Sequence, residues 1–257
     1  MQWRGTALVT GASSGLGEEF ALQLAQRGCD LIVVARRANR LDSLCEKIRG
    51  VHNRKAVSIV ADLSADKGVD HLLKELNRSG VLPDYLVNNA GRGHYGAAVD
   101  TPVETNRHMM RLNMDALTTL SVELGRKMVK RGAGAIMNVA SAVAYQPAPY
   151  FSVYAATKAY VLSFSEALAA EVSGSGVRVF TICPGATESE FASRAGMSGV
   201  PMSLTTSAKD CVRRSLNAFE GGSLTYIDGP LNTASVLFAR FVPRSFIARA
   251  IAIAAQK

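Results

Sequence analysis

Short apolar runs at Thr6–Thr10, Leu31–Ala35 and Val57–Val60 alternate with segments in which apolar residues recur every three or four positions. Leu16, Phe20, Leu24 and Ala25 form the first such stripe, which stops at Gly28. Leu41, Leu44, Cys45 and Ile48 form the second, and Val69, Leu72, Leu73 and Leu76 the third. A strand buried on both faces is apolar throughout, whereas a helix packed on one side carries a stripe, so the series reads strand, helix, strand, helix. The rhythm continues with strands near Tyr85–Val87, Ala135–Val139, Val177–Cys183 and Leu224–Ile227. Long helices lie between them, one through Leu112, Ala116, Leu120, Leu124 and Met128, another through Tyr154, Val161, Phe164, Leu168 and Val172. Seven strands alternating with helices predict an α/β fold: a single doubly wound domain over residues 1–257, its parallel sheet flanked by helices on both faces.

Two segments break the rhythm. Residues 188–206 carry Gly196, Gly199 and Pro201 among small polar side chains, which suits a loop or short helices able to move over a site. Residues 232–257 are apolar with Arg240, Arg244, Arg249 and Lys257 interspersed, and their uncharged stretches fall short of the roughly 20 residues of a membrane span. The expectation is a tail packed on the domain or on a neighbouring subunit, with a membrane-surface helix as the alternative.

Apolar residues make up 48% of the chain, enough for a large core. The net charge is +8, but the basic residues cluster only at Arg36, Arg37 and Arg40 and at Arg126, Lys127, Lys130 and Arg131. The second cluster reads as a solvated helix face, and no aromatic residues interleave with it as a single-strand binder would require, so no nucleic-acid partner is expected. Cys29, Cys45, Cys183 and Cys211 lie far apart beside apolar residues, which predicts core packing rather than a metal or redox site. With no secretory pattern at the start, the cytoplasm is the expected location.

Thr10, Gly11, Gly15 and Gly17 follow the first strand and open the first helix. Glycines there allow a tight turn and a close backbone approach, so that a pyrophosphate can sit at the positive end of the helix. At the end of the second strand, where an acid would accept from ribose hydroxyls, stand Ala35, Arg36 and Arg37. Guanidinium groups there predict pairing with the 2′-phosphate of NADP(H). Further along, Tyr154 and Lys158 are four positions apart on a helix and therefore share a face. A cation near a tyrosine favours the phenolate and lowers its pKa, bringing proton exchange nearer to neutral pH.

The order of these pieces, with Asp62 after strand three, Asn88, Asn89, Ala90 and Gly91 after strand four, Asn113 in the next helix, Ser141 after strand five and Pro184 and Gly185 after strand six, resembles the short-chain dehydrogenase/reductase family over nearly the whole chain. The resemblance implies a Rossmann-type fold. It implies that Tyr154 exchanges the proton with the carbonyl or alcohol oxygen, that Ser141 hydrogen-bonds that oxygen, that Lys158 holds the nicotinamide ribose and lowers the tyrosine pKa, and that Asn113 supports a proton-relaying water. Asp62 would meet the adenine amino group, Asn89 and Gly91 the adenosine ribose, and Pro184 to Thr187 the carboxamide. The implied cofactor set is Gly11, Ser13, Ser14, Gly15, Leu16, Gly17, Arg36, Arg37, Asp62, Leu63, Asn89, Ala90, Gly91, Tyr154, Lys158, Pro184, Gly185 and Thr187.

The chain also departs from its relatives. Many NADP-using members carry a second basic residue inside the glycine turn, where this chain has Ser13 and Ser14, so phosphate recognition rests on Arg36, with Arg37, Arg40 and the two hydroxyls as helpers. Asp228, Gly229, Pro230 and Asn232 replace the Asp-Gly-Gly ending of the ketoacyl-carrier reductases. His94 is a candidate substrate neighbour, residues 142–151 are expected to face the reacting carbonyl, and Met197 and Met202 to cover it. The expected activity is interconversion of a ketone or aldehyde and an alcohol, on a bulky apolar substrate, by a homodimer or homotetramer. The alternatives are a non-catalytic NADP-binding sensor or scaffold and a membrane-surface lipid ketone reductase.

Overall fold

The computed structural model describes residues 3–197 and 205–255; Gly199, Pro201, Met202 and Lys257, named above, lie outside them. In chain order the first half runs β1 (Thr6–Thr10), α1 (Gly15–Gln26), β2 (Asp30–Ala35), α2 (Ala38–His52), β3 (Ala56–Val60), α3 (Gly68–Ser79) and β4 (Tyr85–Asn88). Then come α4 (Val103–Met110), a π-helical stretch (Arg111–Ala116), α5 (Leu117–Arg131), β5 (Gly134–Val139), a 3-10 turn (Ala142–Tyr145), α6 (Ser152–Glu171) and β6 (Val177–Cys183). The last part holds β7 (Thr187–Glu188), α7 (Glu190–Arg194), β8 (Thr206–Ser207), α8 (Ala208–Glu220), β9 (Thr225–Ile227), α9 (Pro230–Ala239) and α10 (Arg244–Ala254).

Seven strands form one parallel sheet in the order β3-β2-β1-β4-β5-β6-β9, the doubly wound arrangement of a Rossmann-type fold. Alternation along the strands sorts the core into two layers. Val9 and Val33 meet Phe20 and Leu24 of α1 and Phe219 of α8 on one face, and Leu8, Ile32 and Ile136 meet Leu72 of α3 and Leu120 and Leu124 of α5 on the other. Leu72 is fully buried, so truncation to alanine there is expected to cost about 2–5 kcal/mol. The chain crosses from one half of the sheet to the other between β1 and β4, and that switch point opens the cleft in which a ligand can sit.

Three details differ from the sequence reading. The long helix through Leu112 is interrupted by the π-helical stretch, whose extra residue per turn turns Asn113 toward α6. Within residues 188–206, β7 pairs with β8, and α7 lies between them in sequence. The tail forms α9 and α10, set off by Pro230 and Pro243 at their starts. Phe238, Phe241 and Phe246 on this tail are exposed. No helix among the described residues is long and apolar enough to cross a membrane. All four cysteines are buried and free.

Candidate active site

The glycine turn is shaped by contacts that exclude side chains. Gly11 has φ +68, and a Cβ on Gly17 would lie 2.3 Å from the Gly11 carbonyl oxygen. Asn89 closes the turn against β4: its side-chain amide donates to the Thr10 carbonyl at 2.9 Å, while Thr10 Oγ1 accepts from the Asn89 and Ala90 amides at 3.0 Å each. Thus Asn89, expected beside the ribose, also ties the two central strands together at the cleft floor.

At the end of β2 the arginines divide their work. The exposed Arg36 faces Asp62 at 3.6 Å. Burial works to raise the Asp62 carboxyl, but two hydrogen bonds from Ser64, together with Arg36, outweigh it and hold the group below its ordinary value. Arg37 is clasped to the glycine turn instead. It donates to Ser13 Oγ at 2.9 Å, Ser14 Oγ at 2.9 Å and the Ser13 carbonyl at 3.0 Å, and pairs with Glu190 of α7 at 3.0 Å. Arg40 reaches the same carboxylate at 3.8 Å. Arg36 is expected to take the main part in phosphate recognition; in the structure the two serine hydroxyls serve Arg37.

Ser141, Tyr154 and Lys158 converge at the other end of the cleft. Ser141 ends β5 and caps the 3-10 turn by accepting from the Val143 amide, and it donates to the Pro184 carbonyl at 3.4 Å. Capping and facing the cleft are therefore compatible roles for one hydroxyl. Tyr154 sits in the first turn of α6, buried, its ring stacked on Phe151 at 4.3 Å and 5.3 Å from the Phe191 ring. Lys158 Nζ lies 5.7 Å from the Tyr154 ring centre and donates to the Val139 carbonyl at 2.7 Å.

One expectation is corrected here. The cation was expected to lower the Tyr154 pKa, yet burial pushes the phenol up, and the opposing influence is the hydrogen bond with Ser141. Burial also pulls Lys158 down to about 8. Burial is the largest influence on both groups, disfavouring the phenolate and the ammonium alike.

Asn113 is almost fully buried. Its amide donates to the Arg92 carbonyl at 2.9 Å and Thr157 Oγ1 at 3.0 Å, and its oxygen accepts from the Arg92 amide at 3.0 Å. It stands behind the cleft wall, although a Cβ on Gly91 would lie 3.4 Å from its oxygen and 3.5 Å from Lys158 Nζ. Thr187 Oγ1 is turned to the Gly185 carbonyl at 3.1 Å.

One continuous cavity of about 750 Å³ joins these parts; it is lined by Gly11, Ser13, Ser14, Gly15, Leu16, Arg36, Arg37, Asp62, Leu63, Asn89, Ala90, Gly91, Pro184, Gly185 and Thr187 as well as by Ser141, Tyr154 and Lys158. Gly17 packs beneath the turn, and His94 is not among the lining residues; its ring rests near Gly96. Glu190, Phe191 and Arg194 of α7, inside the segment expected to move over the site, and Asn232, Ser235 and Val236 of α9, none assigned individually to the site from the sequence, line the cavity. Asn232 is fixed by its bond to the Asp228 carbonyl at 2.6 Å, and the buried Asp228 carboxylate is held by Arg214 at 2.8 and 3.0 Å. Met197 lines the cavity as expected.

The family profile described as short chain dehydrogenase matches residues 5–197, and the chain belongs to that family. It is 35% identical over 190 residues to a short chain dehydrogenase of Pseudocercospora fijiensis, covering 72% of this chain and 60% of that one. Across the first curated relatives it matches, the chain spans between 32% and 60% of their length. Among solved structures, a short-chain dehydrogenase from Sphingobium yanoikuyae in complex with NADPH superposes with a TM-score of 0.84 at 33% identity, covering 92% of this chain and 93% of that one. The bulky-bulky ketone specific alcohol dehydrogenase from Comamonas testosteroni gives 0.79 at 30% identity, covering 91% of each chain.

Proposed function

We propose that this protein is an NADP(H)-dependent oxidoreductase that interconverts a ketone or aldehyde and an alcohol, acting as one domain in the cytoplasm. The observation that carries this reading is the convergence of Ser141, Tyr154 and Lys158 at one end of a cleft whose other end holds the glycine turn and Arg36, Arg37 and Arg40. The donor set fits the cofactor. Gly11 and Gly17 let the turn close tightly at the start of α1, where a pyrophosphate can meet backbone amides, and guanidinium groups rather than a carboxylate follow β2, which suits a 2′-phosphate. The NADPH complex of the Sphingobium yanoikuyae relative supports the same choice.

The cofactor supplies the hydride. As negative charge grows on the carbonyl oxygen, the Ser141 and Tyr154 hydroxyls are the donors aimed at it, and Tyr154 gives up its proton. Burial holds the Tyr154 phenol above its ordinary pKa, so it is available as a proton donor across the neutral range. Lys158, charged below about pH 8, lies close enough to stabilise the phenolate left behind. Val143, Phe151, Phe191, Met197 and Val236 give the substrate end an apolar lining, which, with the bulky-ketone relative, supports a bulky apolar substrate.

Replacing Tyr154 by phenylalanine tests the mechanism. Cofactor affinity measured by calorimetry is expected to hold, while kcat falls about 10²- to 10⁴-fold. Retained turnover would remove Tyr154 from the chemistry, whereas cofactor binding with no turnover of any carbonyl by the wild-type chain would favour the sensor reading.

A second reading concerns the tail. Phe238, Phe241 and Phe246 are exposed beside Arg240, Arg244 and Arg249, no acid follows Asp228, and α9 lines the cavity. Such a face suits an anionic lipid surface that delivers apolar substrate, or a second copy of the chain in a homodimer or homotetramer. Flotation with anionic vesicles, comparing the full chain with a triple Arg240, Arg244 and Arg249 to Glu variant, separates the two: loss of binding supports the lipid surface, and no binding by either protein removes it.

A further inference from the structure

The short helix α7 touches both ends of the cleft through three consecutive residues. Ser189, its N-cap, sits over the glycine turn, so that a Cβ on Gly15 would lie 2.9 Å from the Ser189 Cβ. Glu190 pairs with Arg37 at 3.0 Å and Arg40 at 3.8 Å, and with Arg194 on its own helix. Phe191 then places its ring 5.3 Å from that of Tyr154 and 6.5 Å from that of Phe151. A helix of five residues is thus pinned at one side on the arginines at the start of α2 and at the other on the phenol.

The charges at the first pin decide what can exchange. Arg37 spends Nε and Nη2 on Ser13 and Ser14 and presents Nη1 to Glu190. The Glu190 side chain is 39% exposed, so solvent screens its pairings and they are individually weak. A phosphate dianion carries more charge and more acceptor oxygens than a carboxylate, and so competes well for the same guanidinium groups. A cofactor without that phosphate has nothing to exchange for the carboxylate.

We propose that Glu190 is a specificity-determining residue of the cofactor site: it occupies Arg37 and Arg40 in place of a 2′-phosphate, and a ligand bearing that phosphate displaces it and unpins α7 from the β2 end. The inference rests on the NADP(H) reading above and adds to it a coupling. Recognition of the phosphate is felt at the Phe191 ring beside Tyr154, because Glu190 and Phe191 are neighbours on one helical turn. Ligands with the phosphate must overcome the pairing, which lowers their apparent affinity by the fraction of time that the arginines are occupied.

The test uses 2′,5′-ADP, NADPH and NADH, titrated calorimetrically into the wild-type chain and into Glu190→Gln. The variant is expected to bind 2′,5′-ADP and NADPH about fivefold more tightly and NADH unchanged. Hydrogen exchange over residues 190–194 is expected to rise in the wild type on adding 2′,5′-ADP but not 5′-AMP, and to be insensitive to either in the variant. Unchanged or weakened 2′,5′-ADP binding by Glu190→Gln, or an equal shift for NADH, overturns the proposal while leaving the cofactor reading intact. A wild-type chain that binds NADH well and 2′,5′-ADP not at all overturns both.

Discussion

The two ends of the cleft hold their polar groups by opposite means. At the catalytic end Tyr154, Lys158 and Asn113 are buried, and Lys158 and Asn113 are bonded to backbone atoms of Val139 and Arg92. At the other end Arg36, Arg40, Asp62 and Glu190 are partly or largely exposed, and their ion pairs run between side chains, Arg36 with Asp62 and both Arg37 and Arg40 with Glu190. A buried group that loses its partner pays the full desolvation penalty, so its position is fixed. An exposed ion pair is worth little and can change partners when a ligand brings a better charge. On the proposed function, the reaction would be built into the rigid end and the choice of cofactor into the exchangeable one.

If this contrast holds, changes at the buried end have the larger effects. Lys158→Met is expected to lower kcat/KM for carbonyl reduction about 100-fold or more, because it removes the cation beside Tyr154. The wild-type pH profile sharpens the point. Lys158 is charged below its pKa of about 8 and loses its charge above it, so kcat/KM is expected to fall as pH rises through about 8, while Tyr154, held higher by burial, adds no limb in the neutral range. A profile flat from pH 6 to 10 breaks the assignment of the limb to Lys158.

At the exposed end the expected effects are smaller and selective. Ala35→Asp combined with Arg36→Ala introduces a ribose acceptor and removes a phosphate donor, and should move the ratio of NADPH to NADH affinity by about tenfold or more toward NADH. An unmoved ratio would mean that Arg37 and Arg40 alone read the phosphate. Smallest is the fivefold tightening from Glu190→Gln, which concerns a screened side chain. Should Glu190→Gln exceed Lys158→Met in effect, the contrast between the ends would be inverted.

Much of the fold was legible because periodicity records burial directly. β1, β2 and β6 lie within a residue of the apolar runs that announced them, and the stripe Val69, Leu72, Leu76 is the buried face of α3. The π-helical stretch was not legible, since its signature is a one-residue slip inside an otherwise helical pattern. Of the site, the glycine turn and the spacing from Tyr154 to Lys158 could be read locally. The direction of the Tyr154 pKa could not, because desolvation depends on Phe151 and Phe191 closing over the ring.

What the sequence determined by itself is the set of relations spanning a turn or two of chain: strand and helix in alternation, a glycine turn between them, and two functional side chains on one helix face. These are fixed by backbone geometry and by local burial pattern. What only the tertiary structure decided is which distant groups share a charge or a desolvated surface. Arg37 and Glu190 stand 153 positions apart, and Asn232 meets Gly185 from a helix beyond the last strand. Coulomb attraction and exclusion of water act through space, so their outcome is set where the sheet brings its carboxyl ends together.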